Sequence, residues 1–142
     1  MDPNSYFETD PWTFAVERIG EKDLGELRAI SIQVEGAGDS LAQVAGQWLS
    51  RLESLCPSPI RQDVQQNDRT MSILLEYSGP LLARIFIDAG PGPSVTSFEC
   101  VGTRGLMIWK PDVHRLSVLY TDGKSRITVE HPYAASLQRK EI

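Results

Sequence analysis

From residue 61 onward the chain is cut into short segments by tight turns, and this feature limits its fold more than any other. Asn67-Asp68, Ser78-Gly79-Pro80, Thr103-Arg104-Gly105 and Thr121-Asp122-Gly123-Lys124 each supply residues that tolerate positive φ or pre-set a bend. Between them lie strand-like stretches at about Arg61–Gln65, Thr70–Tyr77, Leu82–Asp88, Val95–Val101, Leu106–Lys110, Leu116–Tyr120 and Arg126–Glu130. Segments joined this closely pair as hairpins, so a mostly antiparallel sheet is expected. No strand–helix alternation follows residue 60, which excludes a complete doubly wound domain.

The first 60 residues read differently. Asp10-Pro11 is a helix-start signal, followed by Trp12, Phe14, Ala15, Val16 and Ile19, with Gly20 placed to end the helix. Leu27 to Val34 approximates the alternation of a half-buried strand. The loop Gly36-Ala37-Gly38-Asp39 leads into Leu41, Val44, Ala45, Trp48, Leu49, Leu52 and Leu55, whose spacings of three and four put all seven on one helical stripe. Pro57 and Pro59 stop that helix. The expected architecture is α+β, a mostly antiparallel open sheet with one or two helices on one face.

With 142 residues, 41% hydrophobic and 23% charged, the chain is sized for one packed domain, and disorder is not indicated. Met1-Asp2-Pro3-Asn4-Ser5 reads as a translated cloning-site scar, which leaves Tyr6–Ile142 as the domain. A net charge of -5 and scattered basic residues argue against a nucleic-acid partner. No apolar run nears the roughly 20 residues that span a bilayer, and no signal-peptide pattern opens the chain, so a cytoplasmic, non-membrane protein is expected. Cys56 and Cys100 sit among apolar neighbours without metal spacing and are read as buried free thiols.

The order of elements and several local phrases resemble the C-terminal domain of the glucose-fructose oxidoreductase / inositol dehydrogenase family, Gfo/Idh/MocA. These phrases are Pro11 through Ile19, Asp23-Leu24-Gly25-Glu26-Leu27-Arg28-Ala29-Ile30, the glycine loop and helix from Gly36 to Leu55, and the hairpin from Leu74 to Ile87 around Ser78-Gly79. The best single match is Phe98-Glu99-Cys100-Val101-Gly102-Thr103-Arg104-Gly105-Leu106-Met107-Ile108-Trp109, which is similar to the family's strand, Gly-Thr-x-Gly turn and following strand. The resemblance covers about Tyr6 to Trp109, with a strand-rich continuation to Glu130.

The departures bear on function. Family enzymes need a dinucleotide fingerprint in which glycines let the backbone approach a pyrophosphate. This chain has no Gly-x-Gly-x-x-Gly, and Gly90-Pro91-Gly92 loses amide donors to proline with no helix after it. Glu8-Thr9-Asp10-Pro11 only echoes the family's Glu-Lys-Pro. Where many family members carry an Asp, a His and an Asp on the helix, the resemblance places Gln43, Gln47 and Ser50, making these the substrate-pocket candidates. Neither an amide nor an unactivated hydroxyl exchanges protons near neutral pH, so no catalytic residue, cofactor site or metal site is expected, and the chain alone should show no activity. His114 and His131 read as solvated surface histidines, Ser40, Ser97 and Ser117 lack a nucleophile-elbow context, and Trp12, Trp48 and Trp109 read as core or interface.

Ile73-Leu74-Leu75 and Ile85-Phe86-Ile87 are nearly continuous apolar runs, which imply strands covered on both faces. One helix can cover one face, so a homodimer or a partner protein is expected on the other. Ile73, Leu75, Ile85, Ile87, Phe98, Ile108 and Trp109 are the interface candidates. Three functions compete: a non-catalytic oligomerisation or protein-interaction module, an excised or split substrate-binding part of an NAD(P)-dependent oxidoreductase, and a small-molecule module for a sugar-like ligand.

Overall fold

The computed structural model describes residues 11–20, 22, 24–38, 40–91, 94–111, 115–120 and 126–130. The expected scar at Met1–Ser5, the Asp10 and Asp39 caps, both histidines and the turn at 121–124 lie outside them. In chain order the elements are α1 (Pro11–Gly20), β1 (Leu27–Glu35), α2 (Leu41–Leu55), β2 (Arg61–Gln66), β3 (Thr70–Glu76), β4 (Leu82–Asp88), β5 (Val95–Gly102), β6 (Gly105–Lys110), β7 (Arg115–Tyr120) and β8 (Arg126–Glu130). The sequence reads as one domain; the chain's contacts fall into two compact units, Arg28–Glu99 and a second made of the segments before and after it.

In the Arg28–Glu99 unit the strand order is β2-β3-β4-β1-β5. The β2/β3 and β3/β4 pairs are antiparallel hairpins, as their turns dictate. In the first, Asn67 Oδ1 accepts the backbone N–H groups of Arg69 and Thr70, both at 2.9 Å, so its short side chain closes the turn. The β1/β4 pair is parallel, which makes the expected mostly antiparallel sheet a mixed one. Its origin is topological. After β1 the chain returns through α2, so β2 starts again in the direction of β1, and two hairpin reversals leave β4 running the same way.

Register sorts this unit into two faces. Ile30, Ala83 and Leu75 form one cross-strand row, Ile32, Ile85 and Ile73 the next, and Val34, Ile87 and Met71 a third. All nine are buried, Ile85 and Ile87 completely. α2 packs on β3 and β4 over this face and buries Leu41, Ala45, Trp48 and Leu52. At about 1.5–3 kcal/mol for each large apolar side chain removed from water, this layer is the main stabilising contribution of the unit. α2 begins after Ser40, whose side chain makes no capping hydrogen bond, and it ends with the Cys56 N–H donating to the Leu52 carbonyl at 2.8 Å.

The other unit holds α1, the segment leading to β1, the end of β5, and the antiparallel pairs β6/β7 and β7/β8. Among the described residues, Trp12, Ala15, Leu24, Cys100, Met107, Trp109 and Val118 are its buried apolar residues. The turn between β5 and β6 is clasped to residues 24–26. Thr103 N–H donates to the Glu26 carbonyl at 2.9 Å, Arg104 N–H to the Leu24 carbonyl at 2.8 Å, and Glu26 N–H to Thr103 Oγ1 at 3.1 Å. Gly25 takes a positive φ of 75° here, and a side chain on it would collide with Thr103. A Cβ on Gly102 would strike the Leu24 carbonyl and lie 2.8 Å from the Leu24 Cβ, so close backbone approach accounts for this glycine.

Candidate functional site

The three helix positions singled out in the sequence fall on one stripe. Gln43, Gln47 and Ser50 are spaced by four and three, and all are exposed on the side of α2 away from the sheet. The Ser50 carbonyl accepts the Ser54 hydroxyl at 3.2 Å. Next to the stripe, the Arg51 guanidinium stands 4.6 Å from the Trp48 ring centroid, a cation–π contact that lays an arginine over the rim of the helix core. Gln43, Gln47 and Ser50 can donate and accept hydrogen bonds, but none can take or give a proton in a reaction near neutral pH. Among the described residues no group of three or more His, Cys, Asp or Glu is placed to hold a metal ion.

A strand, a glycine loop and a helix do follow one another here, at β1, Gly36-Ala37-Gly38 and α2, with Gly36 and Gly38 at φ 75° and 64°. A phosphate cradle needs the loop's amides free. Ala37 N–H is instead donated to the Asp88 carbonyl at 3.0 Å and Ser40 N–H to the Ala37 carbonyl at 3.4 Å. The place of a third glycine is taken by Leu41, a buried core residue. Glu35 and Asp88, adjacent partners at the ends of β1 and β4, add negative charge beside the loop.

The interface candidates separate into several environments. Ile73, Leu75, Ile85 and Ile87 lie under α2, no more than 1% exposed, so they are core residues of this chain and unavailable to a partner. Phe98 is 4% and Trp109 6% exposed, also interior. Ile108 is half-buried and faces the opposite side of its strand from Trp109, as adjacent strand residues must. The two therefore cannot report on one surface. Cys56 and Cys100 are buried and form no disulfide, and burial pushes the Cys56 thiol above its ordinary pKa.

The sheet face turned away from α2 is the one on which a partner was expected, but register gives it residues other than Ile73, Leu75, Ile85 and Ile87. Its rows, from β2 across to β1, are Arg61–Glu76–Leu82–Ala29, Asp63–Leu74–Arg84–Ser31 and Gln65–Ser72–Phe86–Gln33. Leu82 is 47% and Leu74 39% exposed, so the middle residue of the run Ile73-Leu74-Leu75 is not covered within the chain. Asp63, Gln65, Ser72, Leu74 and Arg84 line a shallow cavity of about 570 Å³ on this face, with Val64 at its rim. The available signal was the alternation inside the apolar runs, because each middle residue points opposite to its neighbours.

No protein-family model matches the chain, and no curated protein matches it. Solved structures do match its fold. An oxidoreductase from Agrobacterium radiobacter, solved with NAD+, L-tartaric acid and magnesium, superposes with a TM-score of 0.68 at 13% identity over 85% of this chain and 42% of that one. An inositol dehydrogenase homologue from Azotobacter vinelandii, solved with NAD+, gives 0.62 at 17% identity over 88% and 42%. A levoglucosan dehydrogenase in complex with NADH and levoglucosan gives 0.65 at 13% identity over 91% and 47%. The chain thus spans less than half the length of these neighbours. Its strand and helix order agrees with the resemblance read from Pro11–Ile30, Gly36–Leu55 and Phe98–Trp109, and the chain has the fold of the C-terminal domain of Gfo/Idh/MocA-type oxidoreductases.

Proposed function

We propose that the chain is a non-catalytic module of oxidoreductase C-terminal fold that works by association, with a second copy or a partner protein seated on the sheet face opposite α2. The observation that carries this reading is the residue set at 43, 47 and 50. On the exposed side of α2, Gln43, Gln47 and Ser50 offer hydrogen bonds and no proton-transfer group, while Leu74, Leu82 and Phe86 on the far side of the sheet surround Arg84, with Asp63 beside Leu74. A mixed surface of this kind, in which apolar and charged side chains alternate, suits a protein partner. Light scattering at micromolar concentration tests it. The expected mass is that of a dimer or larger, whereas a monomer at every concentration, with no partner bound, counts against the reading.

A second reading is supported by the share of the neighbours that the chain spans. As one part of a two-part NAD(P)-dependent oxidoreductase, it would contribute a substrate-facing wall through Gln43, Gln47 and Ser50, with the nucleotide supplied by another polypeptide segment. Addition of a nucleotide-binding domain from such an enzyme would then restore turnover of a polyol or sugar. Under the first reading it would not.

A further inference from the structure

β2 is the end strand of its sheet and all six of its residues are exposed. The hydrogen-bonding phase of the β2/β3 hairpin follows from its turn. Asn67 N–H donates to the Thr70 carbonyl at 3.0 Å, so Asn67 and Thr70 are a hydrogen-bonded pair, and every second residue back along β2 repeats that state. Gln65, Asp63 and Arg61 therefore spend their backbone groups on β3. The N–H and C=O groups of Gln62, Val64 and Gln66 point outward, along an edge that no other described strand pairs with. An edge of this kind is a template for another strand.

We infer that β2 pairs antiparallel with β2 of a second copy, about a two-fold axis at Gln62, so that Arg61 of each chain faces Asp63 of the other. Gln62, Val64 and Gln66 have their N–H groups outward, whereas the Ile60 N–H is donated to the Glu76 carbonyl at 2.7 Å, which leaves three central registers. Placing Gln62 on Val64 sets Asp63 against Asp63, a like-charge pair, and placing Val64 on Val64 sets Arg61 against the neutral Asn67. Placing Gln62 on Gln62 sets Arg61 against Asp63 twice on the open face. The Arg61–Asp63 ion pair at 3.3 Å within each chain is already formed at the right height, and two of them side by side make a neutral square of alternating charge. The pairing is isologous and closes with two chains. It also joins the two open sheet faces into one wider surface. The inference rests on the proposal that the chain associates, but it uses a different surface and is separable from it.

Sedimentation equilibrium on the full chain gives the test. R61E sets two acidic side chains against each other at both cross-strand pairs, and D63K sets two basic ones there. Each variant alone should dissociate about tenfold more readily, given that a cross-strand charge pair contributes about 0.2–1 kcal/mol and two are inverted. An equimolar mixture of R61E and D63K pairs acid with acid nowhere across the interface that base does not offset, because one chain is acidic and the other basic at both positions, and it should form the heterodimer with the affinity of the parent. V64P, which removes an outward N–H and leaves the β3 ladder intact, should weaken association, with circular dichroism confirming the fold. A mixture that associates no better than either variant overturns the pairing, as does a dimer indifferent to V64P. A parent chain that is monomeric at all concentrations overturns both this pairing and the association it rests on.

Discussion

The backbone N–H of Glu26 is held by the side-chain oxygen of Thr103, 77 residues away in sequence, at 3.1 Å. With the reciprocal bond from Thr103 N–H to the Glu26 carbonyl, it locks the segment before β1 to the β5–β6 turn. The phrase Gly102-Thr103-Arg104-Gly105 is thus explained as a structural clasp rather than a ligand loop. Gly102 lets Leu24 approach, Thr103 supplies the acceptor, and a Cβ on Gly105 would come 2.9 Å from the Leu119 carbonyl of the neighbouring strand.

Gly102→Ala should therefore destabilise the chain by about 2–3 kcal/mol, because the atoms met by the new methyl are Leu24 backbone and cannot turn aside. Thr103→Val keeps the shape and loses the acceptor at an exposed site, where water can replace it, so a cost of about 0.5–1 kcal/mol is expected. Urea denaturation measures both. Equal losses would show that the close approach to Leu24 is not what the glycine serves.

Tyr77 is 3% exposed, and its phenol is pushed up to about 12 by burial first, then by the negative charge available at Cys56 and Glu53. The folded state prefers the neutral phenol. That contribution is complete below the unfolded value near 10 and is lost as pH rises from about 10 toward 12. The parent should accordingly lose stability over this interval in a way that Tyr77→Phe does not. A phenolate absorbance titration should show one late step missing from the variant. Identical alkaline stability profiles for the two would place Tyr77 in contact with solvent.

Gln47→His tests whether the helix lacks only its imidazole. The site is exposed and off the core, so stability should change by no more than about 0.5 kcal/mol. No oxidation of polyols should appear with added NAD or NADP, because an acid–base group without a positioned hydride acceptor does not complete the reaction. Turnover above the parent's background would mean that a nucleotide is being held.

Much of this was legible in the sequence, and the reasons are local. The bounds of α2 follow from a single apolar stripe closed by Pro57 and Pro59, and β4 from Leu82 to Asp88 follows from its flanking turns. The parallel pairing of Ile32 with Ile85 was not legible, because no local signal links strands separated by a helix and a hairpin. Nor was the role of Ile73, Leu75, Ile85 and Ile87. Each lies in an apolar run that composition alone assigns to a twice-covered strand; the alternation within a run separates Leu74 and Phe86 from their neighbours, but which of the two sets faces α2 is settled by the register and burial. The helix positions Gln43, Gln47 and Ser50 could be placed on one exposed face by counting. What a partner would do there could not, since amides and hydroxyls fit many surfaces.

The claim that this fold carries no cofactor chemistry of its own meets its most direct test in isothermal titration calorimetry of the chain with NAD and with NADP. The Gly36-Ala37-Gly38 loop spends the Ala37 amide on Asp88 and is followed by Leu41 in the core, with Glu35 and Asp88 alongside. The account predicts no saturable heat for either nucleotide. Saturable binding of either at micromolar concentration, abolished by substituting Gly36 or Gly38, would contradict it.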